Sequence, residues 1–401
     1  MSYTITTIPD GTVAEPAGFY AGAVEAGIKY QGRLDLGILY SEVPCTAAGV
    51  FTDVSIKSAP VIVCQRHLES HRAQAVIVNS GCANAYTGQQ GIADAEAGAA
   101  AAAQKLNIGQ SDVLIASTGV TGVMMPMEKW IKGIGALTWS RDGGHKLARA
   151  MMTTDTVPKE IAVAVEIDGK KFIIGGVAKG SGMIHPNMGT MLCFITTDVA
   201  VNADYLQNAL KKAVDETFNM VTVDGDTSPS DTVVIMANGM SGIAIDPDVN
   251  GEAFSRALHK VCLLLAKKIA SDGEGATKLI EVIVDGAETI TDARLAARTI
   301  AGSPLVKTAM HGNDPNWGRI IAALARSGAK SEMEKIHLAL NSIDVMNKGM
   351  PLHFDVKKAS EELKKDAVVI RLTMGMGNAF AAAWGCDLSR EYVTINSDYT
   401  T

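Results

Sequence analysis

Continuous apolar runs capped by Gly, Asn or Asp alternate with amphipathic stretches along most of the chain. AQAVIVNSG at 73–81 is apolar on consecutive positions and stops on a glycine, the pattern of a strand buried on both faces. DVLIASTG at 112–119 repeats that pattern with a polar tip. Between them, ADAEAGAAAAAQKL at 93–106 predicts an alanine-rich helix lying close on a sheet. PMEKWIKGIGAL at 126–137 opens on proline, which suits a first helical turn. EIAVAVEIDGKKFIIGGVAK at 160–179 predicts a hairpin turning at Asp168-Gly169. TMLCFITTDVAV at 190–201 and TVVIMANG at 232–239 predict further central strands. ADYLQNALKKAVDETF at 203–218 has helical periodicity with Asn202 as its N-cap, and 252–273 predicts a long amphipathic helix.

The alternation restarts after about Glu274. Strand-like 277–286 leads to helical 292–302 and 316–328, then KIHLALNSIDV at 335–345 as a strand and 355–366 as a charged helix. AVVIRLTMG, AFAAAWG and EYVTIN (367–375, 379–385 and 391–396) read as closing strands. Such mixed alternation predicts α+β or α/β sheets covered by helices, with a soft boundary at 275–285. The two regions are 1–280 and a smaller α/β region, 281–401.

Composition narrows the class. With 47% hydrophobic and only 5% aromatic residues, small aliphatic side chains must fill the core of this 401-residue chain. A net charge of −7 with interspersed signs argues against a nucleic-acid surface. The six cysteines form no CxxC pair and no Cys/His cluster with zinc spacing, and no HExxH pair occurs, so no metal site is expected. The start, MSYTITTIPDG, lacks the features of a signal peptide, and no apolar run approaches the roughly 20 residues of a membrane helix. These features predict a cytoplasmic protein without a membrane segment. No Walker loop or strand-linked GxGxxG is present.

The chemistry concentrates at KGSGMIHPNMGTMLCFITTD, 179–198. A core strand needs no hydroxyl at its mouth, yet Thr190 stands there, after Gly189 and a Pro-Asn loop. Glycine before threonine lets the peptide adopt strained angles. The Thr190 hydroxyl can then attack the 189–190 carbonyl, and hydrolysis would leave Thr190 as a new N-terminus. Its α-amine, with a reference pKa of about 7.7–8.0, would serve as the base of its own nucleophile. ASTGVTG at 116–122 reads as an ordinary turn or as an oxyanion hole, with a glycine N–H and a threonine hydroxyl as donors. NSGCANAYTG at 79–88 reads equally as a turn or as site lining, with Cys82 non-catalytic. VDGDTSPSD at 223–231 lacks the terminal Glu of a calcium loop, Ile235 standing there, and reads as a turn whose Asp side chains satisfy themselves. HGNDPNWGR at 311–319 offers His311, Asp314 and Arg319, but an Asn/Pro turn capping a helix at Asn316 is the favoured reading.

Taken together, KGSGMIHPNMGTML, STG, MTTDT, DGDTS, HGNDPNWGR and the terminal INSDYTT resemble the glutamate/ornithine N-acetyltransferases of arginine biosynthesis, the ArgJ family. The resemblance runs from AGFYAGAVEAGIKYQGRLDLGIL at 17–39 to the last residue. It implies an αββα-type sandwich with a smaller C-terminal domain. It also implies self-cleavage between Gly189 and Thr190 into an α chain, 1–189, and a β chain, 190–401, paired as α2β2. Thr190 would be the nucleophile, with Thr118 and Gly119 as the oxyanion hole. Substrate contacts would fall on Thr153, Thr154, Lys179, Thr190, Glu274, Asn396 and Thr401. The chain departs from the family pattern at Gly189, at His185, at Pro229-Ser230 and at Cys82, none of them a residue given a chemical role.

The implied reaction moves the acetyl group of N2-acetylornithine to glutamate through acetyl-Thr190, with no bound cofactor. Acetyl-CoA as a second acetyl donor is left open by the sequence. Two competing readings are an N-terminal-nucleophile amidase or aminopeptidase, with water as acceptor, and a binding protein that is never cut.

Overall fold

The computed structural model describes residues 2–185 and 191–398. Its strands are β1 (Tyr3–Ile8), β2 (Phe19–Val24), β3 (Leu36–Phe51), β4 (Arg72–Asn79), β5 (Val113–Ser117), β6 (Lys159–Ile167), β7 (Lys170–Lys179), β8 (Leu192–Thr197), β9 (Val221–Thr222), β10 (Thr232–Ala237), β11 (Leu279–Ala287), β12 (His337–Leu340), β13 (Ile343–Asn347), β14 (Met350–Pro351), β15 (Ala367–Thr373) and β16 (Ala379–Cys386). Its helices are α1 (Ala59–His67), α2 (Gly88–Leu106), α3 (Met127–Ala136), α4 (Gly144–Met151), α5 (Ala203–Glu216), α6 (Gly251–Ser271), α7 (Ile290–Ala301), α8 (Pro304–His311), α9 (Trp317–Ala325), α10 (Val356–Glu362) and α11 (Arg390–Asp398).

Two sheets result. The first runs β1-β6-β7-β8-β10-β3-β4-β5, with β2 also paired to β3. It is antiparallel except at β8/β10 and β4/β5. Its strands alternate in the period of two that a pleated sheet imposes. Val76, Val78 and Leu114 pack with Leu147 and Met151 of α4, while Ile77, Val113 and Ile115 face Ala95 and Ala99 of α2 and Trp130 of α3. The second sheet runs β14-β13-β12-β15-β11-β16-β9. Helix α6 touches β6 and β7 of the first sheet and β11, β16 and β9 of the second. Its Leu258, Val261 and Leu265 join Val163, Ile195 and Ile235 in one buried cluster that extends to Ile280 and Val282. This is an α+β sandwich, within the class that the alternation predicts and of the kind that the family resemblance implies.

The connectivity interleaves the chain. Strands β8 and β10 follow residue 190, yet they lie between β7 and β3, which precede it. The predicted hairpin closes at Asp168 and Gly169, both with positive φ (49° and 76°). Asn202 caps α5, its side chain accepting from the N–H groups of Asp204 and Tyr205.

Two expectations are corrected. Residues 335–345 are not one strand: β12 turns at Asn341 (φ 50°) into β13. EYVTIN is helical, within α11, and not a strand. The Ser389 hydroxyl accepts from Glu391 N–H and donates to the Gly275 carbonyl, which anchors the start of the helix.

Candidate active site

Parallel pairing of β4 with β5 brings two polar strand tips together. Ser117 Oγ donates to Asn79 Oδ1 (2.7 Å), and Thr118 N–H donates to the Asn79 carbonyl (3.0 Å). Beyond this, Gly119 has φ 120° and lies against the backbone of Gly81, where a Cβ would come within 2.6 Å. Only glycine fits there, in conformation and in space. Among the described residues, Gly119 N–H donates to no protein group. The turn that the sequence left ambiguous thus presents an open N–H beside the buried Thr118 hydroxyl.

Lys179, at the end of β7, points across to this tip. Its buried Nζ donates to Thr153 Oγ1 (2.9 Å) and to Thr118 Oγ1 (3.4 Å), with Asp155 Oδ2 at 3.8 Å. Because Thr118 Oγ1 accepts from an ammonium, its own proton stays free for a ligand. Burial lowers the Lys179 pKa from the ordinary lysine value, and Asp155 pulls against the shift.

A buried ionic chain holds Lys179 in place. Asp155 Oδ1 accepts from Lys159 Nζ (2.7 Å) and from Gly180 N–H (2.7 Å), and Lys159 reaches on to Asp272 Oδ2 (2.5 Å). Burial would raise the Asp155 pKa, but the ammonium groups of Lys179 and Lys159 overcome it and hold the carboxyl well below its usual range. Asp272 in turn fixes Thr156 through its N–H and hydroxyl, and its carbonyl accepts from Ser181 Oγ (2.7 Å).

Glu274 closes the opposite side. Its carboxyl lies so near Gly182 that a Cβ there would come within 2.4 Å. Asn396 of α11 donates to Glu274 Oε2 (2.7 Å). Tyr392, one helical turn earlier on α11, faces the same space, and burial together with Asp224, Glu274 and Asp226 raises its hydroxyl pKa. A cavity of about 130 Å³ remains, lined by Thr118, Gly119, Thr153, Thr154, Lys179, Glu274 and Asn396 among others. These seven expected residues come from five separate stretches and meet at one place. Gly189, Thr190 and Thr401 lie outside the described residues.

The 223–231 loop does more than the self-satisfied turn expected of it. Asp224 accepts from Met183 N–H (2.6 Å) and Ile184 N–H (3.0 Å), and Asp231 Oδ1 accepts from Met191 N–H (3.0 Å). One acidic loop therefore grips the chain on both sides of 186–190. Burial raises the Asp224 carboxyl to about 6, against the pull of the N–H groups it accepts. Elsewhere, His311 pairs with Asp387 (2.7 Å), not with Asp314, and neither lines the cavity. Helix α9 does start after Asn316, but the Asn316 side chain bonds Asp314 and caps nothing. Cys82 is buried with its thiol pKa raised by burial, in keeping with the non-catalytic reading.

Sequence reasoning missed Lys159, Asp272, Tyr392 and the gripping role of Asp224 and Asp231. Asp155 sat inside the quoted MTTDT without a role. A signal existed only in the residue types, since Lys159 and its partner Asp272 are 113 positions apart. The arrangement can hold a carboxylate at Lys179 and an ammonium at Glu274, with two hydrogen-bond donors at Thr118 and Gly119 for a developing oxyanion.

Known proteins resemble this chain closely in sequence. Residues 20–401 match a family described as the ArgJ family. The arginine biosynthesis bifunctional protein ArgJ of Dehalococcoides mccartyi is 52% identical over 408 residues, which cover 100% of both chains. The protein of the same name from Oceanobacillus iheyensis is 47% identical over 403 residues, covering 99% of this chain and 98% of its own. A crystal structure of arginine biosynthesis bifunctional protein argJ from Bacillus halodurans superposes with a TM-score of 0.51 at 45% identity, covering 51% of this chain and 98% of the solved one.

Proposed function

The chain belongs to the ArgJ family, the acetyltransferases of arginine biosynthesis, and from that premise we propose the reaction it runs. Thr190, freed as an N-terminus by self-cleavage after Gly189, takes the acetyl group of N2-acetylornithine and passes it to glutamate. The Thr190 Oγ attacks the acetyl carbonyl, and the α-amine of the same residue takes the proton. Thr118 Oγ and Gly119 N–H stabilise the oxyanion. Ornithine leaves with a proton, and acetyl-Thr190 remains. The amine of glutamate then attacks the ester, giving N-acetylglutamate and free Thr190. Lys179 binds the α-carboxylate common to both amino acids, and Glu274, steadied by Asn396, binds the side-chain ammonium of ornithine. Thr153, Thr154 and Thr401 complete the contacts.

The observation that carries this reading is the convergence on one cavity of an open glycine N–H, a free threonine proton, a buried lysine and a buried carboxylate. The attachment of Ile184 and Met191 to the loop lining that cavity supports Thr190 as the residue it serves. A solved relative matched over 98% of its own length spans only 51% of this chain, which supports a native chain in two parts. The reading includes an α2β2 assembly in the cytoplasm, with residues 281–401 completing the site of residues 1–280. The relatives' designation as bifunctional supports acetyl-CoA as a second donor to the same threonine.

Intact mass under denaturing conditions tests the first step. Two chains, the second beginning Thr-Met-Leu-Cys, are expected. Acetylornithine given without glutamate should then add one acetyl group to the 190–401 chain alone. Free acetate in place of N-acetylglutamate, with glutamate present, would make the protein a hydrolase and overturn the transferase reading.

A further inference from the structure

We infer that the recess between Arg33 and Arg149, beside the cavity described above, holds the phosphates of a coenzyme-thioester acyl donor, an inference that rests on the acetyl-CoA reading above. The cavity at Thr118 and Lys179 is small, about 130 Å³, and its lining suits a free amino acid. A donor that carries a nucleotide has to leave that part outside, in a space that meets the cavity. A recess of about 520 Å³ lies there, lined by Arg33, Leu34, Arg149, Met152, Thr153 and Pro158 among others. Thr153 borders both spaces. A second recess with two arginines, that of His185, Arg298 and Arg326, shares no lining residue with the cavity.

Both arginines are set by the chain around them. Arg33, between β2 and β3, donates from Nη2 to the Met152 carbonyl (2.6 Å), and its guanidinium lies 4.9 Å from the centre of the Tyr30 ring. Arg149 is exposed in the last turn of α4, and Met152 N–H donates to its carbonyl (3.3 Å). The next residue, Thr153, accepts from Lys179 Nζ at its hydroxyl, and its N–H donates to Asp155 Oδ2 (3.1 Å). One segment therefore serves the wall of the cavity and the arginine side of the recess. A single surface arginine at the carbonyl end of a helix needs no ligand to explain it. Two from separate segments that line one recess are different when nothing balances them. Among the described residues, neither has a carboxylate within ion-pair distance. The Asp155 carboxyl, which also lines the recess, is taken up by Lys159, Gly180 N–H and Thr153 N–H.

The chemistry of the pair selects the ligand class. A guanidinium presents paired N–H groups that match phosphate oxygens, and it stays charged at every physiological pH. Leu34, Met152 and Pro158 give the same recess an apolar side for a carbon chain. Thr153 marks where the thioester arm crosses into the cavity. The acyl step is the one proposed above, with sulfur in place of nitrogen. The bond from Thr190 Oγ to the acetyl carbon forms, the C–S bond breaks, and the hydroxyl proton leaves with the thiol.

The test measures kcat/KM for glutamate acetylation with acetyl-CoA and with S-acetylpantetheine, which has the thioester arm but no phosphate. Arg149 is the residue to change, because Arg33 also ties down the Met152 carbonyl. Wild type should favour acetyl-CoA. Arg149→Ala should cut that preference roughly tenfold, chiefly through KM, and Arg149→Glu should cut it further. A role in the fold alone would slow both donors alike. A preference unchanged in Arg149→Glu, an equal loss with both donors, or a wild type that uses the two equally well overturns the inference. Should Arg149→Glu fail to fold, as its melting curve would show, the Ala variant decides alone on the same ratio. A wild type that takes acetyl from acetylornithine but from neither thioester also overturns the inference and leaves the transferase reading standing. One that is inert with all three donors overturns that reading as well.

Discussion

Thr118 is the residue on which the chemistry is most easily separated from the fold. Its hydroxyl accepts from Lys179, and its proton is left to a ligand. Thr118→Ala removes one donor to the proposed oxyanion and should lower kcat by on the order of 10²–10³. Single-turnover acetylation of the 190–401 chain checks this, since the chemical step alone should slow. Asp155 offers the opposite case, a residue that acts through others. Asp155→Asn leaves Lys159 and Lys179 buried without their shared counter-charge and should cost about 3–5 kcal/mol of stability, read by urea unfolding. The pH dependence has a definite sign. The folded-state pKa of Asp155 is depressed, so its contribution is complete above the unfolded value of about 3.9 and is lost as the pH falls from there toward the lower folded value. The Asn variant should lack that acid limb. None of this was legible in MTTDT, because an aspartate becomes a keystone only through lysines that the fold brings to it.

At the scale of elements, periodicity was a good guide wherever a strand is buried on both faces or a helix carries a cap. Residues 73–81 and 112–119, the hairpin at Asp168-Gly169 and the Asn202 cap all follow from local physics. Asn202→Ala should cost roughly 1 kcal/mol, measured by urea unfolding, because two N–H groups of α5 lose their acceptor. Helix α11 shows where the guide fails. Tyr, Val, Thr and Ile in EYVTIN favour strands, but a serine cap and packing near Gly275 outweigh that preference. The difference matters, because a helix keeps Tyr392 and Asn396, four residues apart, within about 6 Å along its axis toward the cavity, where a strand would spread them over about 13 Å. Val393→Pro should break that spacing. Since α11 has no buried residue, the melting temperature should hardly move while kcat/KM for acetylornithine falls by at least tenfold.

For the whole molecule, the sequence showed the class of fold and the residue types of the site, but not which sheet each strand would join. Strand β9 is two residues of the 223–231 approach added to a sheet otherwise built after Leu279, and no local pattern marks it. The same holds for the insertion of β8 and β10 between β7 and β3. That insertion has a consequence for how the protein can be assembled. Before the proposed cut, folding is a unimolecular event. After it, the two polypeptides would share one sheet, so each would lose its neighbours on separation and refolding would become second order in concentration. An uncut Thr190→Ala chain, diluted from urea, should recover at a rate independent of concentration. The mature pair should recover more slowly with every dilution and fail when it is dilute. The cut would thus make a reversible fold into one that is completed once, held afterwards by the slowness of its unfolding rather than by the ease of its return.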